Sequence, residues 1–121
     1  MTIIPVEVMK KNYLEHCKYE KEKTIEKIHS CLNKRVNTQL IKEGRSLTSF
    51  YKKSSNNPDA ELLELQENVP YKTIIEACQS FAELYKEAGY FVNCSEYSKS
   101  SEKLVFVDIY LPLTPDEMPE F

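Results

Sequence analysis

Apolar residues recur along the first third of the chain at steps of three and four: Met9, Tyr13 and Cys17, then Ile25, Ile28, Leu32, Val36 and Leu40. That spacing is one face of an α-helix. Pro5 suits a helix start, Glu7 in the first turn favours the positive end of the helix dipole, and Gly44 suits a left-handed C-cap. Residues 6–43 are therefore expected as one long helix, or as two helices broken near Tyr19–Thr24. The run Lys18–Lys23 holds Tyr19 as its single large apolar residue. It should be solvated or project beyond the body, its charges lacing an exposed helix surface at i,i+4.

Beyond Gly44, Leu47–Tyr51 is short, β-branched and aromatic, which predicts a strand. Residues 52–59 read as a loop, because Ser54, Ser55, Asn56, Asn57 and Asp59 are turn formers and Pro58 pushes its predecessor out of helical dihedrals. Residues 60–67 fit a helical turn or a strand equally. Pro70 opens the clearest helix, with Ile74, Cys78, Phe81 and Tyr85 on one face, and Gly89 stops it. Residues 90–97 and 103–111 are two strands joined by a polar connection of hairpin length. In the second, Val105, Val107, Ile109 and Leu111 should face the helices, leaving Phe106, Asp108 and Tyr110 on the other side.

This order predicts an α+β fold: a long N-terminal helix or two, a second helix, and an antiparallel sheet of about three strands ending in a hairpin. One domain covers 1–111, and 112–121 is an acidic, proline-rich tail. That tail is either a flexible solubiliser or an acidic motif that folds on a basic patch, with Met118 and Phe121 as anchors. With 121 residues and 41% hydrophobic content, the chain can hold a core without metal or disulfide staples. No run of 18 apolar residues occurs and Met1–Met9 lacks a secretion leader's features, so a soluble, cytoplasmic protein is expected.

The net charge of −3 conceals a division: residues 1–53 carry +6 and residues 54–121 carry −9. Such polarity bears on association rather than on fold. The basic half could meet nucleic acid or small anions through Lys27, Lys34, Arg35, Lys42 and Arg45, or it could pair with the acidic half within or between chains. Self-pairing is favoured, because phosphate repels an acidic chain at long range. A homo-oligomer is therefore expected.

Reactive chemistry is hard to find in the sequence. Cys17, Cys31, Cys78 and Cys94 form no Cys-x-x-Cys pair and are scattered over separate elements, so no metal site is expected and reduced, partly buried thiols are. With Gly44 and Gly89 the only glycines, no phosphate loop, dinucleotide fingerprint or nucleophile elbow can be built. His16 and Cys17 are neighbours that diverge by about 100° on a helix. Asp108 interrupts an apolar strand, which marks a solvent-facing position or an acid with an upward-shifted pKa if that face is covered. The expectation is a protein that is not an enzyme, has no cofactor, and has no catalytic residues.

The positive signal is aromatic. Tyr90, Phe91, Tyr97, Phe106 and Tyr110 fall on the predicted strands, and tyrosine, with apolar area and a polar tip, is enriched at interfaces. Tyr90, Tyr97, Phe106, Asp108 and Tyr110 are accordingly the expected partner-binding residues.

The pattern from Ile28 through His29, Ser30, Cys31 and Leu32 to Gly44, a short strand, Pro70 onward to Leu84-Tyr85-Lys86-Glu87-Ala88-Gly89-Tyr90-Phe91-Val92, and a hairpin resembles the small helix-strand-helix-hairpin proteins of tailed bacteriophages. The resemblance spans residues 25–111. It implies expression in a bacterial cytoplasm and a role as a virion component or a host-directed binding protein, such as an inhibitor or assembly factor, and it assigns no functional residues.

Overall fold

The computed structural model describes residues 1–52, 57, 59–99 and 102–119. The chain is α+β, and its elements follow as α1 (Val6–Glu43), β1 (Arg45–Lys52), α2 (Ala60–Asn68), α3 (Tyr71–Glu87), β2 (Phe91–Lys99), β3 (Glu102–Tyr110) and a 3-10 turn (Pro115–Glu117). Of the two readings for residues 6–43, the structure takes the single helix. Its backbone is uninterrupted by glycine or proline, and the charged middle is held by local contacts: Thr24 Oγ1 donates to the Glu20 carbonyl at 2.9 Å and Lys23 lies 4.9 Å from the Tyr19 ring centroid. At 1.5 Å per residue the helix is about 57 Å long. It ends where Gly44 turns to φ 73° and its N–H closes on the Leu40 carbonyl at 2.9 Å.

The ambiguous stretch 60–67 is helical, and the reason is its cap. Asp59 Oδ1 accepts from the backbone N–H of Glu61 at 3.0 Å and of Leu62 at 3.1 Å, which supplies the orphan donors of the first turn while Leu62 and Leu65 enter the core. The predicted hairpin connection is shorter than expected, since Lys99 and Glu102 are themselves a register pair. Residues 53–56 and 58 of the predicted 52–59 loop, Ser100 and Ser101 of the connection, and Glu120 and Phe121 of the tail lie outside the described residues.

The sheet has the order β1-β3-β2 and is antiparallel throughout, with β3 central. Ser46, Thr48 and Phe50 of β1, Val105, Val107 and Ile109 of β3, and Val92 and Cys94 of β2 turn to the helices. There they meet Ile28, Cys31, Leu32, Val36 and Leu40 of α1, Leu62 and Leu65 of α2, and Ile74, Ala77, Cys78, Phe81 and Ala82 of α3. The outer edge of β1 is also occupied: the Tyr51 N–H donates to Gln66 Oε1 at 2.8 Å and Asn57 Nδ2 donates to the Ser49 carbonyl at 3.2 Å.

Two parts of the chain leave this body. All residues from 1 to 23 are exposed, and the first buried side chain of α1 is Ile28. Lys21, bridged to Glu76 of α3 at 2.6 Å, marks where the helix meets the body, so Val6–Lys21 projects by about 22 Å. At the other end the tail starts against Gly44, whose carbonyl accepts from the Leu111 N–H at 3.1 Å. The tail is ordered locally by Glu117, which accepts from the Thr114 hydroxyl at 2.8 Å; that bond holds the Glu117 carboxyl below its usual range.

Candidate protein-binding face of the sheet

Because all three helices lie on one side, the other face of the sheet has no layer over it among the described residues. The register builds that face in rows. Arg45, Tyr110 and Phe91 stand across β1, β3 and β2; next come Leu47, Asp108 and Asn93; then Ser49, Phe106 and Ser95; then Tyr51, Leu104 and Tyr97. Phe106 sits mid-face between two serines, short side chains that leave its ring approachable. Phe91 and Tyr110 form a tilted pair with centroids 5.3 Å apart and an interplanar angle of 53°. Phe91, Tyr97, Tyr110 and Leu47 are all exposed.

Phe50 of β1 is fully buried, but the first half of the strand sets polarity against burial. Ser46 and Thr48 are 1% and 3% exposed, while Leu47 between them is 53% exposed. Ser46 satisfies its hydroxyl by donating to Gln39 Oε1, whereas Thr48 Oγ1 has no partner. A strand that buries hydroxyls and presents leucine is arranged at a cost to its own stability.

One charged pair joins the first two rows of this face. Arg45 Nε donates to Asp108 Oδ1 at 3.0 Å and Arg45 Nη2 to Asp108 Oδ2 at 2.8 Å, a bidentate fork that also raises the already high pKa of the guanidinium. Asp108 is thus on the outward side, as the strand alternation predicts. Below the Phe91–Tyr110 pair, the face runs into a groove of about 790 Å³ walled by Ile41 of α1, Leu111, Leu113 and Met118.

Of the expected partner-binding residues, the register brings Tyr97, Phe106, Asp108 and Tyr110 together on the open face. Tyr90 is elsewhere, and here the sequence reading is corrected. It precedes β2, packs partly buried against the core, and stacks at 5.0 Å on Tyr85, which continues through Phe81 to His29. Strand parity explains this: Tyr90 has the parity of Val92 and Cys94, which face the helices. The reading missed Leu47, Tyr51 and Leu104, and it named Phe91 as a strand aromatic without placing it in the site. Their signal is the odd parity of β1 against the even parity of β3, which is visible only once the register is known.

The five cations named for an anion or nucleic-acid site do not converge. Lys27, Lys34 and Lys42 are exposed along α1, Arg35 is bridged to Asp59, and Arg45 is held by Asp108 on the sheet. The thiols are likewise dispersed. Cys31 and Cys78 are buried, with burial pushing their pKa values up to about 11 and about 12; Cys94 is half-buried and Cys17 lies exposed on the projecting helix. His29 Nε2 donates to the Ala77 carbonyl at 3.0 Å, with Ser80 Oγ at 2.8 Å, so the ring serves to join α1 to α3. Among the described residues no group of His, Cys, Asp and Glu side chains is placed to hold a metal ion, and no helix is long and apolar enough to cross a membrane.

Comparison with protein-family models, with curated proteins and with solved structures returned no match.

Proposed function

We propose that this chain is a non-catalytic protein-binding module that recognises another protein through the open face of its sheet. The observation that carries the reading is the outer sheet face itself, where β1 directs Leu47 outward beside Phe106 and the exposed Tyr110 of β3 while Ser46 and Thr48 are buried. Aromatic side chains, a single desolvation-prone ion pair and an adjoining apolar groove are the usual parts of an interface centre. The partner surface that fits is apolar, with one polar group able to replace or complement the Arg45–Asp108 fork. Through the resemblance to tailed-phage proteins, the partner would be a host or virion protein, and the chain an inhibitor or assembly factor in a bacterial cytoplasm.

The test starts with affinity purification from the native host and identification of the captured protein by mass spectrometry. Phe106→Ser with Tyr110→Ser should then weaken capture of that protein at least about tenfold, as loss of central aromatic anchors does. The circular dichroism spectrum should be preserved. Capture unaltered by this double substitution would remove the sheet face from the mechanism.

A further inference from the structure

The two edges of the sheet differ. At the β1 edge the Tyr51 N–H and the Ser49 carbonyl turn outward, where Gln66 and Asn57 satisfy them. The alternation of an antiparallel ladder then fixes the remaining backbone directions. Ser46, Thr48 and Phe50 bond to Ile109, Val107 and Val105, so Leu104, Phe106, Asp108 and Tyr110 bond to Tyr97, Ser95, Asn93 and Phe91. The N–H and carbonyl groups of Val92, Cys94, Glu96 and Ser98 are left pointing away from the sheet. None of them has a hydrogen-bond partner among the described residues. β2 runs nine residues in unbroken register, with neither proline nor bulge to blunt this edge. Beside it, α3 and β2 bound a groove of about 380 Å³, with Gln79, Glu83 and Lys86 facing Val92 and Cys94. Burial, and after it the charge of Glu96, pushes the Tyr71 hydroxyl above its usual pKa, so Glu96 stands on the helix side near the start of α3. Neither Glu83 nor Glu96 is in an ion pair among the described residues.

We propose that the free edge of β2 takes up an extended segment of another protein as a fourth strand, with a lysine or arginine of that segment set beside Glu96. The class of ligand follows from the edge itself: backbone donors and acceptors repeating at strand spacing are matched by another extended backbone. Every second side chain of the added strand faces α3. A small or apolar one fits the groove over Val92 and Cys94, and a basic one finds the unpaired carboxylate of Glu96. Charge selects in the same sense, because the segment 54–121 that builds this edge and α3 carries −9 and repels an acidic strand. The alternate side chains continue the outer sheet face beyond Asn93 and Tyr97. The site does not rest on the open face, since a partner seated on that face alone leaves the outward amides of β2 unpaired.

The probe is a set of heptapeptides, Thr-x-Thr-x-Thr-x-Thr with x drawn from Val, Lys and Glu, offered to the full chain at up to on the order of 1 mM. Amide hydrogen exchange followed by NMR reads the edge residue by residue. In the free chain the N–H groups of Val92, Cys94, Glu96 and Ser98 should exchange fast, and peptides carrying Lys should slow them at least about tenfold. The all-Glu peptide should not, and N-methylation of alternate peptide amides should abolish the protection. Glu96→Pro removes one outward donor and no ladder bond, so the sheet stays paired while peptide binding is lost. Glu96→Gln should weaken the Lys peptides about threefold. If Glu96→Pro fails to fold, the exchange footprint on the native chain and Glu96→Gln decide. The proposal is overturned by any of four results: no slowing with any peptide, equal slowing by the all-Glu and Lys peptides, Lys peptides indifferent to Glu96→Gln, or slow exchange at these amides in the peptide-free chain that grows with its concentration. The last would give the edge to a second copy.

Discussion

Arg45 reaches Asp108 diagonally across the seam between β1 and β3: its own register partner is Tyr110, yet both its Nε and its Nη2 donate to the carboxylate two residues away. The fork neutralises Asp108, which stands between Phe106 and Tyr110 along the outer side of β3. With Arg45 largely exposed, its contribution to stability is screened by salt. Arg45→Ala should therefore lower the thermal midpoint at low ionic strength, and the gap from the native chain should narrow as salt is added. Melting curves at two salt concentrations check this. A gap that widens with salt would show that the fork is not what holds Asp108.

Thr48 offers the opposite kind of change. Its hydroxyl is buried beneath the helices without a hydrogen-bond partner, although its backbone is in a strand where valine is at home. Thr48→Val keeps the shape and removes the unsatisfied group, so stability should rise by about 1 kcal/mol. Chemical denaturation would show a higher midpoint at unchanged slope. An unchanged or lower midpoint would mean that the hydroxyl is satisfied in solution.

Thr48 also shows why part of this fold was hidden in the sequence. Where periodicity and burial agree the elements are readable: α3 from its Ile74–Cys78–Phe81 face, β3 from its Val105–Val107–Ile109 alternation, and the C-terminus of α1 from Gly44. In β1 they disagree, because Ser46 and Thr48 point inward and Leu47 and Tyr51 outward, so no alternation rule could assign its faces. Tyr90 fails for a related reason: aromatic content marks a strand, but only the register assigns the side. α2 depended on a single cap, Asp59, whose carboxylate settles as helix a segment that its leucines leave undecided. The unity of α1 rested on the absence of any breaker between Val6 and Glu43, since the charged run Lys18–Lys23 weakens the stripe without interrupting the backbone.

Gly44 is the joint between the long helix and the sheet. At φ 73° it occupies the left-handed region, and a Cβ built there would meet nothing within 4 Å. The cost of Gly44→Ala is thus backbone strain alone, about 1 kcal/mol. Denaturation of this variant should show that loss while the fold, read by circular dichroism, is kept. A much larger loss would point to a steric clash that the open space around Gly44 does not provide.

The buried thiols set an alkaline limit on stability. Cys31 and Cys78 are held protonated to about pH 11 and about pH 12, mainly because burial disfavours the thiolate, while in the unfolded chain both ionise near their ordinary value of 9.0. The folded state therefore binds more protons than the unfolded state once the pH passes about 9, and stability falls with rising pH from there until the folded thiols themselves ionise. Below pH 9 these groups make stability independent of pH. The same burial protects them from alkylation, in contrast to exposed Cys17. Iodoacetamide at neutral pH should modify Cys17 first and leave Cys31 and Cys78 unreacted until denaturant is added, as peptide mass spectrometry would resolve. Cys31→Ala with Cys78→Ala should flatten the decline above pH 9, despite lowering stability overall through the cavities left behind. A decline of the same steepness in that double variant would assign the alkaline transition to other groups.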